Sequence, residues 1–286
     1  MIIDFHCHIL PPTFPARWAE LCNRDATFAA LFAKPDARMA DADMLVAAMD
    51  QSRVDHAVAL GMGWTDLPLA QEVNDYVIHS VRRYPRRLSG FCSVNPAWGA
   101  MAVTELERCA AAGLKGVGEI HPDTQEFDIG DRSTMQPVMD AARRLGMPVV
   151  VHSSEPVGHS YPGKGNTTPG KLYRFVGNFP ENVIICAHWG GGLPFYSLMP
   201  EVPEALKNVY FDSAASPFLY RKEVFAVAAL LAGADHLLLG TDYPLLGHQL
   251  LLRQVAESGL GEAEQAAILG TNAARLLGLP VPEGQG

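Results

Sequence analysis

Short apolar runs alternate along the chain with longer amphipathic segments, and this alternation predicts its secondary structure. The apolar runs are rich in Val, Ile and Leu, which is typical of buried β-strands. They cover residues 1–10, 54–60, 88–94, 114–121, 148–153, 183–188, 209–213 and 236–241. Helical sequence follows each run, the pattern of a parallel sheet covered by helices. Eight such units in 286 residues predict a (β/α)8 TIM barrel.

The spacing of the predicted elements indicates a single TIM-barrel domain over residues 1–286. Residues 10–37 form a Pro-rich insertion after the first strand, and we expect it to act as a lid or pocket wall. Residues 280–286 are expected to be a flexible tail. A doubly wound open sheet is the alternative fold. It is disfavoured because no Gly-rich phosphate-binding fingerprint follows the first strand.

Ionisable residues stand at the ends of several predicted strands, where an apolar core strand has no need of them. These residues are His6, His8, Glu119, His121, His152, His188 and Asp242. In a TIM barrel the carboxyl ends of the strands meet at one mouth, so these side chains are expected to lie together. Residues two apart on a strand share a face, so His6 and His8 can bind one metal ion. Asp4 shares that face one step deeper and is predicted to support the site without binding metal.

The chemistry of this set predicts a metal site. His6, His8, His152 and Asp242 would supply three imidazoles and one carboxylate. We expect one divalent metal ion, zinc first, with manganese or iron as alternatives. A water bound to such an ion has its pKa lowered towards about 7 and becomes a nucleophile. His188 would then serve as a catalytic residue that moves protons, and Asp242 would both bind metal and accept a proton.

Four motifs together resemble the amidohydrolase superfamily. They are Asp4-x-His6-x-His8, Val-Val-His152, Cys-Ala-His188-Trp-Gly-Gly and Gly-Thr-Asp242-Tyr-Pro. The set is most similar to the amidohydrolase-related (amidohydrolase-2) branch. That branch includes aminocarboxymuconate-semialdehyde decarboxylase, resorcylate-type decarboxylases and predicted TIM-barrel metal-dependent hydrolases. The resemblance spans residues 1 to about 277. It implies the same four metal ligands, a catalytic role for His188 and assembly as a homodimer.

Glu119 marks a departure from the binuclear members of the superfamily. Those members often bridge two metals with a carboxylated lysine at the end of strand four, whereas Lys115 lies at the start of that strand here. Glu119 stands at the strand end and resembles the Gly-Glu-Ile signature of nuclease-like members. A single metal is therefore preferred, with Glu119 as an extra ligand or as a partner that orients a histidine. The alternative is a buried acid paired with Lys115 or an arginine.

Substrate-binding residues are harder to predict. Aromatic side chains in predicted mouth loops, together with His121, are candidates to line the pocket, namely Trp64, His121, Tyr161, Trp189 and Tyr243. Cations near the same loops are candidates to bind a substrate carboxylate, namely Arg17, Lys164, Lys171 and Arg221. Each of these cations, taken singly, is more typical of a solvated surface position.

The amino-acid composition limits the kinds of molecule that we expect the chain to bind. A hydrophobic content of 48% with 19% charged residues is typical of a globular chain, and no apolar run has membrane-spanning length. The net charge of −9 disfavours nucleic acid as a partner, so a small molecule is expected. Five cysteines without a CxxC pair argue against a disulfide framework. The first residues lack the features of a secretory signal, which predicts a cytoplasmic protein.

Two enzyme classes fit these residues. The first is a metal-dependent hydrolase in which activated water attacks a small amide, ester or lactone. The alternative is a metal-dependent decarboxylase, a carbon–carbon lyase acting on an unsaturated or aromatic carboxylic acid. Because no arginine stands out as a carboxylate anchor, the sequence favours the hydrolase. A barrel that binds ligands without turnover is disfavoured, since His188 accompanies the metal ligands.

Overall fold

A computed structural model describes residues 1–280 and contains eight parallel strands in one sheet. The strands are β1 (Ile3–His8), β2 (His56–Leu60), β3 (Leu88–Cys92), β4 (Gly116–Ile120), β5 (Val149–Val151), β6 (Ile184–Cys186), β7 (Val209–Asp212) and β8 (Leu237–Leu238). They pair in chain order. The last strand meets the first through the Phe5 amide, which donates to the Leu239 carbonyl at 2.7 Å. The predicted TIM barrel is therefore confirmed.

Helices connect the strands, and most of them cover the outside of the barrel; the exception is the four-residue segment Ala187–Gly190 at the mouth, whose backbone is not helical at His188 and Trp189. They are α1 (Trp18–Arg24), α2 (Ala26–Leu31), α3 (Ala42–Ser52), α4 (Leu67–Arg83), α5 (Ala100–Ala111), α6 (Arg132–Arg144), α7 (Pro169–Asn178), α8 (Ala187–Gly190), α9 (Val202–Ala205), α10 (Ser216–Leu219), α11 (Val224–Ala232), α12 (His248–Ala256), α13 (Glu262–Ala266) and α14 (Asn272–Leu277). Side-chain caps fix where several begin. Asp41 accepts from the Met44 amide at 2.8 Å at the start of α3, and Asp66 accepts from the Leu69 amide at 2.7 Å at the start of α4.

Two apolar clusters hold the fold together. One contains fully buried residues of different strands, among them Phe5, Val58, Phe91 and Ile185. Residues from strands on opposite sides of the sheet can touch only inside the barrel, so this cluster is its interior. The larger cluster lies between the strands and the helices. The barrel is thus a packed core, and a cluster of ionisable side chains lies at the carboxyl ends of its strands.

The segment after β1 differs from its prediction in detail. It contains the two helices α1 and α2, and residues between Leu31 and Arg38 form part of the wall of the main cavity. The predicted tail lies outside the described residues apart from Pro280. Within residues 1–280, helices are too short or too polar to cross a membrane.

Candidate metal centre and cavity

A cavity of about 710 Å³ opens at the carboxyl ends of the barrel strands. Its floor carries side chains from five strand ends, namely His8, Glu119, His152, His188 and Asp242. His6 lies directly beneath them and is fully buried. The structure therefore brings together the six residues that the sequence singled out for metal binding and catalysis.

The β1 histidines converge on one point. The Nε2 atoms of His6 and His8 lie 3.1 Å apart, and the His8 Nε2 atom lies 3.3 Å from Oδ1 of Asp242. Two donors that each lie about 2.1 Å from one ion are roughly 3.0–3.4 Å apart. The His6–His8 and His8–Asp242 spacings therefore fit ligands of a single metal ion, and the His6 Nε2 atom lies 3.8 Å from Oδ1 of Asp242, slightly wider than this range.

Glu119 lies between the two groups of histidines. Its Oε2 atom is 3.5 Å from the His6 Nε2 atom and 3.6 Å from that of His8. Its Oε1 atom is 3.0 Å from Nδ1 of His152 and 3.3 Å from Nε2 of His188. The alternative partner from the sequence, Lys115, is exposed to solvent. Glu119 is therefore a member of the site and forms no ion pair with that lysine.

One buried ring nitrogen of the cluster has no hydrogen-bond partner among residues 1–280. The Nε2 atom of His152 makes no hydrogen bond with residues 1–280, although its Nδ1 atom contacts Glu119. A buried nitrogen without a partner is costly unless another group satisfies it. The donor set of imidazoles and carboxylates is also one that zinc and manganese accept. The residues present thus fit a divalent metal ion.

Asp212, at the end of β7, supports the cluster from below. Its Oδ2 atom accepts a hydrogen bond from Nδ1 of His6 at 2.8 Å, and its Oδ1 atom accepts from the His188 amide at 3.0 Å. A Cβ atom at Gly240 would lie 2.8 Å from that of His6, so a side chain there would displace the imidazole. The sequence left open whether Asp212 faced inward. The rule that strand ends carry the site would have included it.

Electrostatics keep the acids of the site ionised. Burial alone would raise the pKa of Glu119, but the nearby His6 and His152 outweigh it and hold that pKa well below its usual range. Burial is likewise outweighed at Asp242, whose pKa falls to about 2 because of His8, His6 and His188. Both carboxylates are therefore negative at neutral pH and favour a bound cation.

His188 is held in a fixed orientation. Its Nδ1 atom lies 3.1 Å from the Ala214 carbonyl oxygen and donates to it, so its Nε2 atom faces Glu119. Its backbone has a φ of 54°, an uncommon left-handed conformation for a histidine. Burial lowers the pKa of His188, but Glu119 and Asp242 outweigh it and raise the value to about 9. This side chain can therefore hold a proton beside the cavity.

The predicted substrate-binding residues divide into two groups. His121 and Tyr161 line the cavity. Trp64, Trp189 and Tyr243 do not, which corrects their prediction. Both tryptophans are fully buried in the apolar core, where the indole of Trp189 donates to the Ser216 hydroxyl at 3.0 Å. Tyr243 stacks on His248, with ring centroids 5.6 Å apart.

His248 and Asp4 form a buried contact. His248, the first residue of α12, has its Nε2 atom 3.2 Å from Oδ2 of Asp4. Asp4 also accepts from the Thr241 amide at 3.0 Å. These contacts join β1 to the loop after β8 and to the start of α12, so Asp4 belongs to a buried polar network. Its role in supporting the metal site stays a prediction.

The cavity wall contains residues that the sequence did not identify. Its apolar part includes Phe32, Met62, Phe218 and Leu245, and its rim carries the cations Lys34 and Arg38 together with the His159 side chain. Neither Lys34 nor Arg38 forms an ion pair within the described 280 residues. The four cations that the sequence predicted as carboxylate-binding residues do not line the cavity. Arg17 pairs with Glu20 and Glu72 instead. The rule that strand ends carry the site could not identify Lys34 and Arg38, because residues 31–38 do not lie at the end of any strand.

Comparison with known proteins finds several decarboxylases that are similar to this chain. The chain is 24% identical over 255 residues to the gamma-resorcylate decarboxylase of a Polaromonas species, covering 73% of this chain and 76% of the relative. The 5-carboxyvanillate decarboxylase of Sphingomonas paucimobilis superposes with a TM-score of 0.79 at 18% identity, covering 98% and 99% of the two chains. A dihydroxybenzoic acid decarboxylase of Polaromonas, solved with manganese and the inhibitor 2-nitroresorcinol, has a TM-score of 0.69 at 18% identity and covers 97% and 96%.

These relatives overturn the preference for a hydrolase. Each of the three is named for decarboxylation, and none of them for cleavage of an amide, ester or lactone. The family assignment does not depend on that choice, since a family can contain both reactions on one fold. The family model described as Amidohydrolase matches residues 3–279, almost the whole sequence. The chain therefore belongs to the amidohydrolase family.

Proposed function

We propose that the protein is a metal-dependent decarboxylase that removes the carboxyl group of a small aromatic or unsaturated acid as carbon dioxide. The observation that carries this proposal is the presence of Lys34 and Arg38 on the wall of the cavity that contains the histidine cluster. Their lack of ion-pair partners among residues 1–280 leaves them able to bind an anionic substrate. The named activities of the relatives point to the same class of substrate.

The metal is proposed to be held by His6, His8, His152 and Asp242, with Glu119 as a further ligand or an orienting partner. A divalent ion at this point would supply positive charge that binds and orients a substrate oxygen. Manganese is supported by its presence in two related decarboxylases. Zinc, expected from the sequence, remains a prediction that elemental analysis distinguishes from manganese.

The protein residues are proposed to handle one proton. During decarboxylation the bond between the substrate carbon and the carboxyl group breaks, its electron pair stays with that carbon, and a new C–H bond forms. His188 and Asp242 both line the cavity. His188 is the candidate to deliver that proton, whereas Asp242, which is ionised at neutral pH, is the candidate to accept one. Apolar residues of the wall, such as Phe32 and Phe218, are proposed to pack against the substrate ring and exclude water.

The remaining predictions concern the surroundings of the enzyme. A small-molecule substrate is part of the proposal, and the net charge of −9 continues to argue against nucleic acid. Assembly as a homodimer and location in the cytoplasm stay predictions from the sequence. Sedimentation and cell fractionation test them.

A substrate screen tests the proposal. Protein purified without chelator is loaded with manganese or zinc and offered hydroxybenzoic acids, unsaturated dicarboxylic acids, and a set of amides, esters and lactones. The proposal predicts carbon dioxide release from at least one acid and no cleavage of the neutral substrates. Cleavage of an ester, amide or lactone without any carbon dioxide release would reject it.

A further inference from the structure

Two histidines of the cavity, His121 and His159, are not used by the proposed metal site or by proton transfer, and of these two only His121 is buried. His121, in the loop directly after β4, is only 3% exposed and lines the cavity beside His152. Neither of its ring nitrogens makes a hydrogen bond of good geometry among residues 1–280, although the Gly163 backbone lies close to the ring. A buried imidazole with two unsatisfied polar atoms is destabilising unless a further molecule contacts it.

The surrounding structure fixes this imidazole in place. Its ring stacks on that of His152, with centroids 4.0 Å apart and planes inclined by 14°. The His121 amide donates to Oε1 of Gln125 at 3.0 Å, and the Gln125 side chain donates in turn to the Trp64 and Val94 carbonyls at 3.1 Å. His121 therefore cannot turn away to find a partner elsewhere.

The loop after β2 completes this arrangement. A Cβ atom at Gly63 would lie 2.6 Å from the Cβ atom of His121, so only glycine permits the observed approach. Close packing on one side and a stacked ring on another leave the cavity as the space where a partner can reach the ring nitrogens. The position is built for a polar group that must come from a ligand.

We propose that His121 binds a hydroxyl group of the substrate and so selects hydroxylated aromatic acids over their unsubstituted counterparts. A neutral imidazole has one donor and one acceptor nitrogen, and a hydroxyl can pair with either. A site that hydrogen-bonds a substrate hydroxyl rejects analogues lacking it, because its own polar group would stay unpaired. This inference rests on the proposed decarboxylase function only for its choice of aromatic ligands.

Calorimetric binding tests the inference without turnover. The probes are 2-nitroresorcinol, which carries two hydroxyls, and nitrobenzene, which carries none. They are titrated into manganese-loaded wild type, His121→Phe, His121→Gln and His79→Phe. We expect His121→Phe to weaken 2-nitroresorcinol about tenfold, the loss of one hydrogen bond, and to leave nitrobenzene unchanged. His121→Gln should recover part of the affinity, and His79→Phe, at an exposed histidine on α4 outside the cavity lining, should match wild type.

Three results would overturn the inference. The first is equal affinity of wild type and His121→Phe for 2-nitroresorcinol. The second is an equal loss for both probes accompanied by a lower metal content, which would make His121 a structural support of His152. The third is failure of wild type to bind 2-nitroresorcinol. A selective loss of 2-nitroresorcinol affinity together with no carbon dioxide release would reject the proposed function alone.

Discussion

The carboxylate of Asp212 accepts a hydrogen bond from Nδ1 of His6 at 2.8 Å, and both side chains are completely buried. This contact fixes the tautomer of His6 and directs its Nε2 atom towards His8 and the cavity. Burial lowers the pKa of His6, but Asp212 and Glu119 outweigh it and raise that pKa well above its usual range. The β7 acid is thus the orienting partner of a proposed metal ligand.

Asp212→Asn should weaken metal binding about 10- to 100-fold, because loss of an orienting partner has effects of that size. Competition with a fluorescent chelator gives the affinity. Asp235→Asn, which changes an exposed acid near the start of β8, should behave like wild type. Equal metal affinities of Asp212→Asn and wild type would show that the contact does not support the ligand.

Removal of the metal should lower the melting temperature of wild type. A ligand present at about 100 times its Kd stabilises the folded state by about 2.7 kcal/mol, and chelation removes that contribution. His6→Ala should melt at a temperature that chelator does not change, because it lacks one of the converging nitrogens. Differential scanning calorimetry with and without chelator checks both. Identical chelator responses of the two proteins would remove His6 from the ligand set.

Arg38→Ala should raise KM for an acidic substrate about tenfold or more, since a hydrogen bond to a charged group is worth about 1.5–3 kcal/mol. Little change in kcat is expected, because Arg38 is proposed to bind the substrate carboxylate and takes no part in proton transfer. Steady-state kinetics provide both constants. The control is Arg82→Ala, an exposed arginine on α4. An unchanged KM for Arg38→Ala would remove the support that this residue gives to an anionic substrate.

Glu105 provides a test of stability that is independent of the site. Burial would raise its pKa, but hydrogen bonds from Arg108 and Asn74, both at 2.7 Å, outweigh this and lower the pKa below its ordinary value of 4.5. A lowered pKa stabilises the fold above the unfolded value, and this contribution disappears as pH falls through the folded value. Glu105→Gln should therefore be less stable than wild type at pH 7 by about 1–3 kcal/mol.

The difference between wild type and Glu105→Gln should shrink as pH decreases below about 4.5. Urea unfolding at several pH values measures it. Glu107→Gln, on the exposed side of the same helix, is the control and should show a much smaller difference at every pH. A gap for Glu105→Gln that stays constant from pH 7 to pH 3 would contradict the assigned direction of the pKa change.

Alternation of strand and helix along the chain was sufficient to predict the barrel, since the strands lie in short apolar runs and helical sequence follows each of them. The strand-end rule placed His6, His152 and Asp242 in one cluster because position along a strand determines which end of a barrel a residue occupies. It failed for Trp64 and Trp189. An aromatic ring in a loop can turn either into the cavity or into the core, and the sequence pattern does not distinguish these directions.

The prediction that the enzyme is a hydrolase was wrong for a related reason. Arg38 belongs to the segment between β1 and α3, and its place on the cavity wall depends on how that whole segment folds back over the barrel. Without that contact the sequence offered no anchor for a carboxylate, and the hydrolase was preferred. Asp212 was ambiguous because strand alternation could place either it or Ser213 inward. Residues at the ends of the barrel strands can be identified from the local sequence, whereas the residues that form the pocket wall are determined by long-range packing.

The most direct test of the central claim follows labelled carbon dioxide from 2,6-dihydroxybenzoate and other carboxyl-labelled aromatic acids. Wild type is assayed after chelation, after reloading with manganese and after reloading with zinc, with His188→Asn as the variant. The account predicts metal-dependent release of labelled carbon dioxide, matched mole for mole by the decarboxylated ring, with loss of at least about 100-fold in His188→Asn. No release from any acid by fully metal-loaded wild type, or equal release by the chelated protein, would contradict it.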